Sequence, residues 1–264
     1  MNGVVYFLCI YTLVSGPSSH VVASPVTKDT IEKILGTSFH VNSNFEFTKP
    51  KLWVYTHEPN PNFEFEYGDV TVLEQMKEAV HGCDAIIHLA AIVGFPACKS
   101  QPALATAVNV EGTRNIIFAR EAYNPKIPLV YASTGSVYGK VEDICTEESA
   151  LNAVSLYGVN KKVAEEMVGT QENTVSFRFA TGFGVSPCMR VNLLVNDFVY
   201  QAITNKILTI FQADFRRTFI HVRDMARAFT MGVENMGNWK HNVIMLFLFF
   251  FYYISLMYLK FLSK

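Results

Sequence analysis

The sequence predicts an α/β fold, a parallel sheet with helices on both faces. Three observations predict it. Strand-like and helix-like runs alternate from residue 50 onward with short links between them. Two of the strand-like runs, "DAIIHLAAI" (84–92) and "IPLVYAST" (127–134), are apolar almost throughout, as strands buried on both faces are. The helical runs between them return the chain so that the next strand starts beside the last and points the same way.

The elements follow in order. "VVYFLCIYTLV" (4–14) reads as a buried first strand. A signal peptide is the alternative, because small residues follow in "VVAS", but no Lys or Arg precedes the run and its length is too short to span a bilayer. "KLWVYTHE" (51–58) is a strand, Pro59 and Pro61 mark a loop, and "FEFEY" (63–67) alternates as a half-buried strand does. "VLEQMKEAVHG" (72–82) is an amphipathic helix closed by Gly82. Residues 84–92 form the next strand and residues 103–123 a long helix. Residues 127–134 form a strand, "LYGVNKKVAEEMVG" (156–169) a helix ending in Gly169, and "VSFRFA" (175–180) another strand. Beyond residue 181 the alternation loosens: "VNDFVYQAITNK" (195–206) is helical, "LTIFQ" (208–212) extended, and "DMARAFTMGVENM" (224–236) a helix with Asp224 as its N-cap. His221 is a packed structural residue, and Met225, Met231 and Met236 belong to a core or an interface.

The 264 residues suit one large domain with a small annex, and half of them are hydrophobic, enough for a sizeable core. With 22 Lys and Arg against 23 Asp and Glu, and no basic block, a nucleic-acid partner is excluded. The five cysteines are widely spaced without a C-x-x-C pair, as expected of a reducing compartment, and no His spacing suggests a metal site. The C-terminal run "VIMLFLFFFYYISLMYL" (243–259) is uncharged over 17 residues. It stands either as a marginal transmembrane anchor or as a segment outside any folded element.

The chemistry centres on "SLYGVNKK" (155–162), where Tyr157 precedes Lys161 by one helical turn, so both side chains share a face. A free phenol titrates near 10, and a neighbouring ammonium is expected to lower that value. Tyr157 could then accept a proton from a substrate hydroxyl while hydride leaves for a nicotinamide, whose positive charge acts in the same direction. In an open parallel sheet, ligands gather at the C-terminal strand ends. One such end carries Ser133 and Thr134, and the Thr134 hydroxyl can hold the reacting oxygen; another carries the small Ala90 and Ala91.

These residues are where the chain resembles a known family, the extended short-chain dehydrogenase/reductases, in the branch of NAD-dependent sugar-nucleotide epimerases and dehydratases. The similarity runs from about residue 50 to 230, over "YGDV", "DAIIHLAA", "NVEGTRN", "YASTGSVYG", "YGVNK", "RFATGFG" and "RRTFIHVRDMARA". The resemblance implies a Rossmann-type doubly wound sheet over residues 1–180 and a small, incomplete substrate lobe over 181–240, followed by the apolar tail, 241–264. It implies Tyr157, Lys161 and Thr134 as the catalytic residues. It puts Asp69 and Val70 at the adenine, Leu89, Ala90 and Ala91 along the phosphates and ribose, and Phe179 beside the nicotinamide. Asn109 steadies the site, Lys161 also bonds the ribose, and Ser133, Asn192, Leu193 and Arg217 meet the substrate. NAD is the implied cofactor, with NADP as the alternative. A nucleotide sugar is the implied substrate, and a homodimer through the helices carrying Asn109 and Tyr157 the implied assembly. The implied location is cytoplasmic, or membrane-anchored if 243–259 spans a bilayer.

The sequence departs from that family in four places. Where G-x-x-G-x-x-G is expected, "LVSGPSSHVV" (13–22) keeps only Gly16, and Pro17 removes an amide donor that a pyrophosphate would use. Glu58 stands where an acid holds the ribose, though a loop glutamate is an equal reading. Gly135 and Ser136 replace the Asp-Glu pair that 4,6-dehydratases carry after the catalytic Thr, which favours epimerisation or simple oxidoreduction. Thr181 stands where many relatives have a substrate-binding Asn. The altered loop and short lobe leave a second expectation open: a catalytically degenerate member that keeps the fold and binds cofactor weakly or not at all.

Overall fold

A computed structural model describes residues 6–8, 68–141, 144–186, 189–208, 210, 217–238 and 242–246. Among them, β1 (Tyr6–Leu8), β2 (Ile86–His88), β3 (Leu129–Thr134), β4 (Thr174–Phe179) and β7 (Asn242–Leu246) form one sheet in the order β1-β2-β3-β4-β7. Every pairing is parallel, with Leu8 opposite His88, His88 opposite Tyr131 and Thr134 opposite Phe179. The first-strand expectation therefore holds, as does the prediction of a doubly wound α/β sheet. A small second sheet pairs β5 (Thr181–Phe183) with β6 (Phe219–His221), also parallel.

Strand alternation divides the core in two. Ile86, Leu129 and Tyr131 face one layer of helices: α1 (Leu73–Val80), α2 (Phe95–Ser100), α3 (Pro102–Thr106), a π-helical turn (Ala107–Glu111), α4 (Gly112–Tyr123) and α5 (Leu156–Gly169). Met76, Val80, Ile116, Ala119, Ala164 and Val168 fill that side. Ile87, Val130, Val175 and Phe177 face the other way, onto α7 (Val222–Glu234), where Phe229 meets Phe177 edge-on at 6.2 Å between ring centres. A helix α6 (Leu194–Thr204) lies between β5 and β6 in the chain. The long helix expected over 103–123 is present but carries its π-turn at Asn109, and π-turns gather at functional positions. Gly82, at φ +81°, closes α1 in the left-handed conformation that favours glycine.

Three expectations change. The N-cap of α7 is His221, whose Nδ1 accepts from the Arg223 amide at 3.2 Å, and Asp224 lies inside the first turn. The helix thus starts before the residue that local propensity singles out, because β6 delivers the chain straight into it. The apolar C-terminal run does not stand apart from the fold at its start: residues 242–246 form β7 at the sheet edge, and the Met245 amide donates to Glu147 Oε1 at 2.8 Å. The transmembrane expectation finds no support, since among the described residues no helix is long and apolar enough to cross a membrane, and residues 243–246 are strand. The strands expected at 51–58 and 63–67, the glycine-loop segment with Gly16, Glu58, most of 208–212 and residues 247–264 lie outside the described residues.

Candidate active site

The C-terminal end of β3, paired there with that of β4, leads into a turn packed on the start of α5. Ser155 caps that helix, its hydroxyl accepting from the Gly158 amide at 3.1 Å. Gly158 lets α5 approach the β3 exit: a Cβ there would stand 2.7 Å from the Ser136 carbonyl oxygen. Thr134 begins the turn Gly135–Val137 and accepts from the Ser136 amide at 3.2 Å. The close packing brings the Thr134 hydroxyl near enough to the Tyr157 phenol to act on its charge.

The expected acidity of Tyr157 is not present. Burial pushes the phenol up to about 12, against the opposing pull of Thr134 and of the Arg190 charge, with Cys98 adding to the rise. Desolvation outweighs the neighbouring hydroxyl and cation because the phenolate, not the phenol, is what burial penalises. Lys161 is itself 3 % exposed, and burial pulls its ammonium down to about 7, partly offset by Glu165. Its nitrogen lies 4.0 Å from the centre of the Tyr131 ring.

A buried polar network supports this lysine. Ser133 donates to Glu165 Oε2 at 2.5 Å, and Arg178 grips both oxygens of the same carboxylate, with Nη2 to Oε1 at 2.6 Å. Arg178 also donates to the Tyr138 hydroxyl at 2.8 Å. On the other side of Tyr131, His88 is fully buried and its Nε2 meets Thr113 Oγ1 at 2.9 Å. Thr113 already donates to the Asn109 carbonyl at 2.9 Å, so His88 must donate through Nε2 and carry no proton on Nδ1. Burial, then the Lys161 charge, drive the imidazole down to about 3.

The other predicted residues fall into three groups. Asn109 is 1 % exposed and clamps the loop after β2, accepting from the Ile92 amide at 2.7 Å and donating to the Ile92 carbonyl at 3.0 Å. Ala90 and Ala91 are buried just before that clamp, with Leu89 packed on the opposite face of the sheet. Val70 and Phe179 turn their side chains inward: Val70 is packed on Gly112, and the Phe179 ring meets Phe229 at 5.1 Å while its backbone pairs with Thr134. Asp69 shapes the turn before α1, its Oδ1 accepting from the amide and hydroxyl of Thr71 at 2.9 and 2.8 Å. Asn192 and Arg217 are exposed, and Leu193 precedes α6. Ser133, expected at the substrate, is committed to Glu165.

Sequence reasoning missed Glu165, Arg178, Arg190 and Asn196. A signal existed for the first two: Arg178 is a charge inside an apolar strand, and Glu165 lies one turn beyond Lys161. Arg190 comes from a loop with no local pattern. Asn196 fixes that loop, donating to the Arg190 carbonyl at 3.0 Å and accepting from the Gly184 amide at 3.1 Å. The Arg190 guanidinium lies beside Gly94, 3.6 Å from the place of a Cβ there.

A parallel doubly wound sheet belongs to the class of α/β proteins that bind ligands, dinucleotides among them, at the C-terminal ends of their strands. A model of the NAD dependent epimerase/dehydratase family matches residues 19–245, and the chain belongs to that family. It is 26 % identical over 185 residues to UDP-glucuronate 4-epimerase 1 of Arabidopsis thaliana, covering 66 % of this chain and 42 % of the relative. Among solved structures it resembles dTDP-glucose 4,6-dehydratase from Bacillus anthracis in complex with NAD, with a TM-score of 0.64, 21 % identity and coverage of 76 % and 64 %. It also resembles UDP-glucose 4-epimerase from Thermotoga maritima with UDP-glucose, at a TM-score of 0.62, 21 % identity and coverage of 72 % and 64 %. The chain spans 42 % of the Arabidopsis relative and 65 % of the UDP-glucuronate 4-epimerase of Thermodesulfobacterium geofontis.

NAD is the cofactor of this family. The residues at the strand exits fit it: Lys161 brings a buried cation there, and the small Ala90 and Ala91 keep side-chain bulk off the same edge.

Proposed function

We propose that this chain is an NAD-dependent epimerase or oxidoreductase acting on a nucleotide sugar, with NADP as the alternative coenzyme. What supports this is Tyr157 standing one helical turn before Lys161 on α5, with the start of that helix packed closely, at Gly158, on the β3 exit that carries Thr134. Bound NAD supplies the hydride acceptor. Tyr157 takes the proton of the sugar hydroxyl, Thr134 donates to the oxygen that becomes a carbonyl, and Lys161 holds positive charge beside the phenol. The phenol at about 12 in the free protein leaves Tyr157 protonated, so the base must form as positive charge gathers around it. Gly135 and Ser136 offer no carboxyl pair for water loss, which favours epimerisation over 4,6-dehydration. Arg217, Asn192 and Leu193 would meet the nucleotide diphosphate, Arg217 through its planar fork. Gly16 and Glu58 would serve the pyrophosphate and ribose, and Asp69, Val70 and Phe179 would contribute mainly through backbone. The exposed Leu104, Val159 and Val163 support a dimer through the helices carrying Asn109 and Tyr157.

The test is turnover of UDP-sugars by the wild type and by Tyr157→Phe. The variant should lose turnover and keep its melting temperature; activity like the wild type would remove Tyr157 from the mechanism.

A second reading has its own support: Pro17 and the single Gly16 in the expected glycine loop favour a family member that no longer holds the dinucleotide. Melting with NAD or NADP separates the two. A binder at a hundredfold excess over its Kd gains about 2.7 kcal/mol, whereas an unchanged transition at millimolar coenzyme selects the degenerate reading.

A further inference from the structure

Glu165 lies between two buried cations. It sits one helical turn beyond Lys161 on α5, and across from it Arg178 reaches in from β4; the three are 4 %, 3 % and 4 % exposed. Its oxygens are already committed, Oε1 to Arg178 at 2.6 Å and Oε2 to Ser133 at 2.5 Å. Two positive charges and one negative charge thus share a space from which water is excluded. Arg178, the bidentate partner, holds the larger share of the carboxylate.

We propose that Glu165 is the positioning residue for Lys161: fixed by Arg178 and Ser133, its carboxylate is the counter-charge that keeps the ammonium buried against the Tyr131 ring, one helical turn from Tyr157. The role rests on the proposed part of Lys161 in catalysis, but its physical basis does not need turnover. Among the described residues, the groups around Lys161 are these. Tyr157 and Glu165 share its helix. Tyr131 offers a ring face and Ser133 a hydroxyl from β3. His88, on β2, is neutral above about pH 3 and adds no charge near neutrality. Arg178 acts from β4 through the carboxylate it holds. Glu165 is the acid among them, so Lys161 depends on it for compensation.

Two substitutions should move Lys161 in opposite directions. Glu165→Gln removes the counter-charge and should lower the lysine midpoint. Ser133→Ala releases Oε2 from its hydroxyl donor and makes the carboxylate more available to the ammonium, so the midpoint should rise. The measurement is a pH titration of the full chain labelled with 13C at the lysine ε-carbon, the Lys161 signal being the one absent in Lys161→Gln. A fall of about one pH unit in Glu165→Gln and a rise in Ser133→Ala support the assignment. Midpoints that coincide with the wild type in both variants overturn it.

Glu165→Gln strands Arg178 as a buried charge, and such variants can fail to fold. Arg178→Met with and without Glu165→Gln keeps the test alive: only the carboxylate differs between these two variants, so the lysine midpoint must be lower in the double variant than in Arg178→Met alone if Glu165 compensates it. If the midpoints move as stated while the wild type turns over no UDP-sugar, the functional proposal fails and the role of Glu165 stands. If the wild type is active with a bell-shaped pH profile that Glu165→Gln leaves in place, Glu165 is structural only.

Discussion

Lys161 rests with its ammonium nitrogen 4.0 Å from the centre of the Tyr131 ring, on the strand next to the one that carries His88. The ring face is negative and attracts the cation, by about 0.5–2 kcal/mol depending on desolvation. That is less than burial takes from the charged form, so the ammonium still falls to about 7. The lysine is therefore poised to change charge near neutral pH.

Tyr131 holds Lys161 with its ring. Among the described residues its buried hydroxyl makes no hydrogen bond of normal geometry, although Thr113 lies near enough to polarise it. Tyr131→Phe should leave folding stability unchanged or raise it by about 1 kcal/mol, because an unsatisfied buried group is removed. Tyr131→Leu should lose the cation–π contact and leave a cavity, costing about 3 kcal/mol or more. Urea unfolding of the two variants checks this, and equal losses in both would show that the hydroxyl is bonded.

Burial of Lys161 has a signature in pH. Its midpoint is about 7 in the folded chain against 10.5 for the free side chain. Between those values the unfolded chain binds a proton that the folded one lacks, so stability rises with pH across this window. The slope from this group approaches about 1.4 kcal/mol per pH unit. Lys161→Met should flatten the rise between pH 7 and 10 in denaturant titrations. Parallel curves for variant and wild type would mean that the ammonium stays solvated.

Asn109 matches both backbone groups of Ile92 with its one amide. Asn109→Ala should leave a buried N–H and C=O without partners, at about 1–3 kcal/mol each. The loop following Ala90 and Ala91 should loosen with it, so coenzyme-induced stabilisation is expected to drop more than the melting temperature alone predicts. A loss confined to global stability would assign Asn109 to the scaffold.

Gly158 sets the distance between α5 and the β3 exit. Gly158→Ala places a methyl 2.7 Å from the Ser136 carbonyl oxygen, so helix and strand must separate. Turnover should fall at least tenfold, because Tyr157 is carried away from the β3 exit and Thr134, with a smaller loss of melting temperature. A variant as active as the wild type would show that the approach is not needed.

Much of the fold was legible in the sequence because it is written in local periodicity. The helix expected at 156–169 is the helix observed, Leu156–Gly169, since its apolar stripe and closing glycine lie within it, and Ser155 caps it from just outside. The strands at 127–134 and 175–180 were readable for the same reason, as short apolar runs between turns. The start of α7 was misplaced because two capping residues, His221 and Asp224, stand three positions apart and only the strand before them decides which one caps.

What the sequence determined on its own was the order of the elements and the presence of Tyr157, Lys161 and Thr134, because hydrophobic period and residue spacing act over a few neighbours. What the tertiary structure decided was their charge. Burial raises Tyr157 and lowers Lys161, and Glu165, Arg178 and Arg190 reach the site from separate stretches of chain. Desolvation and Coulomb energies depend on distance through space, and that distance exists only once the sheet has assembled.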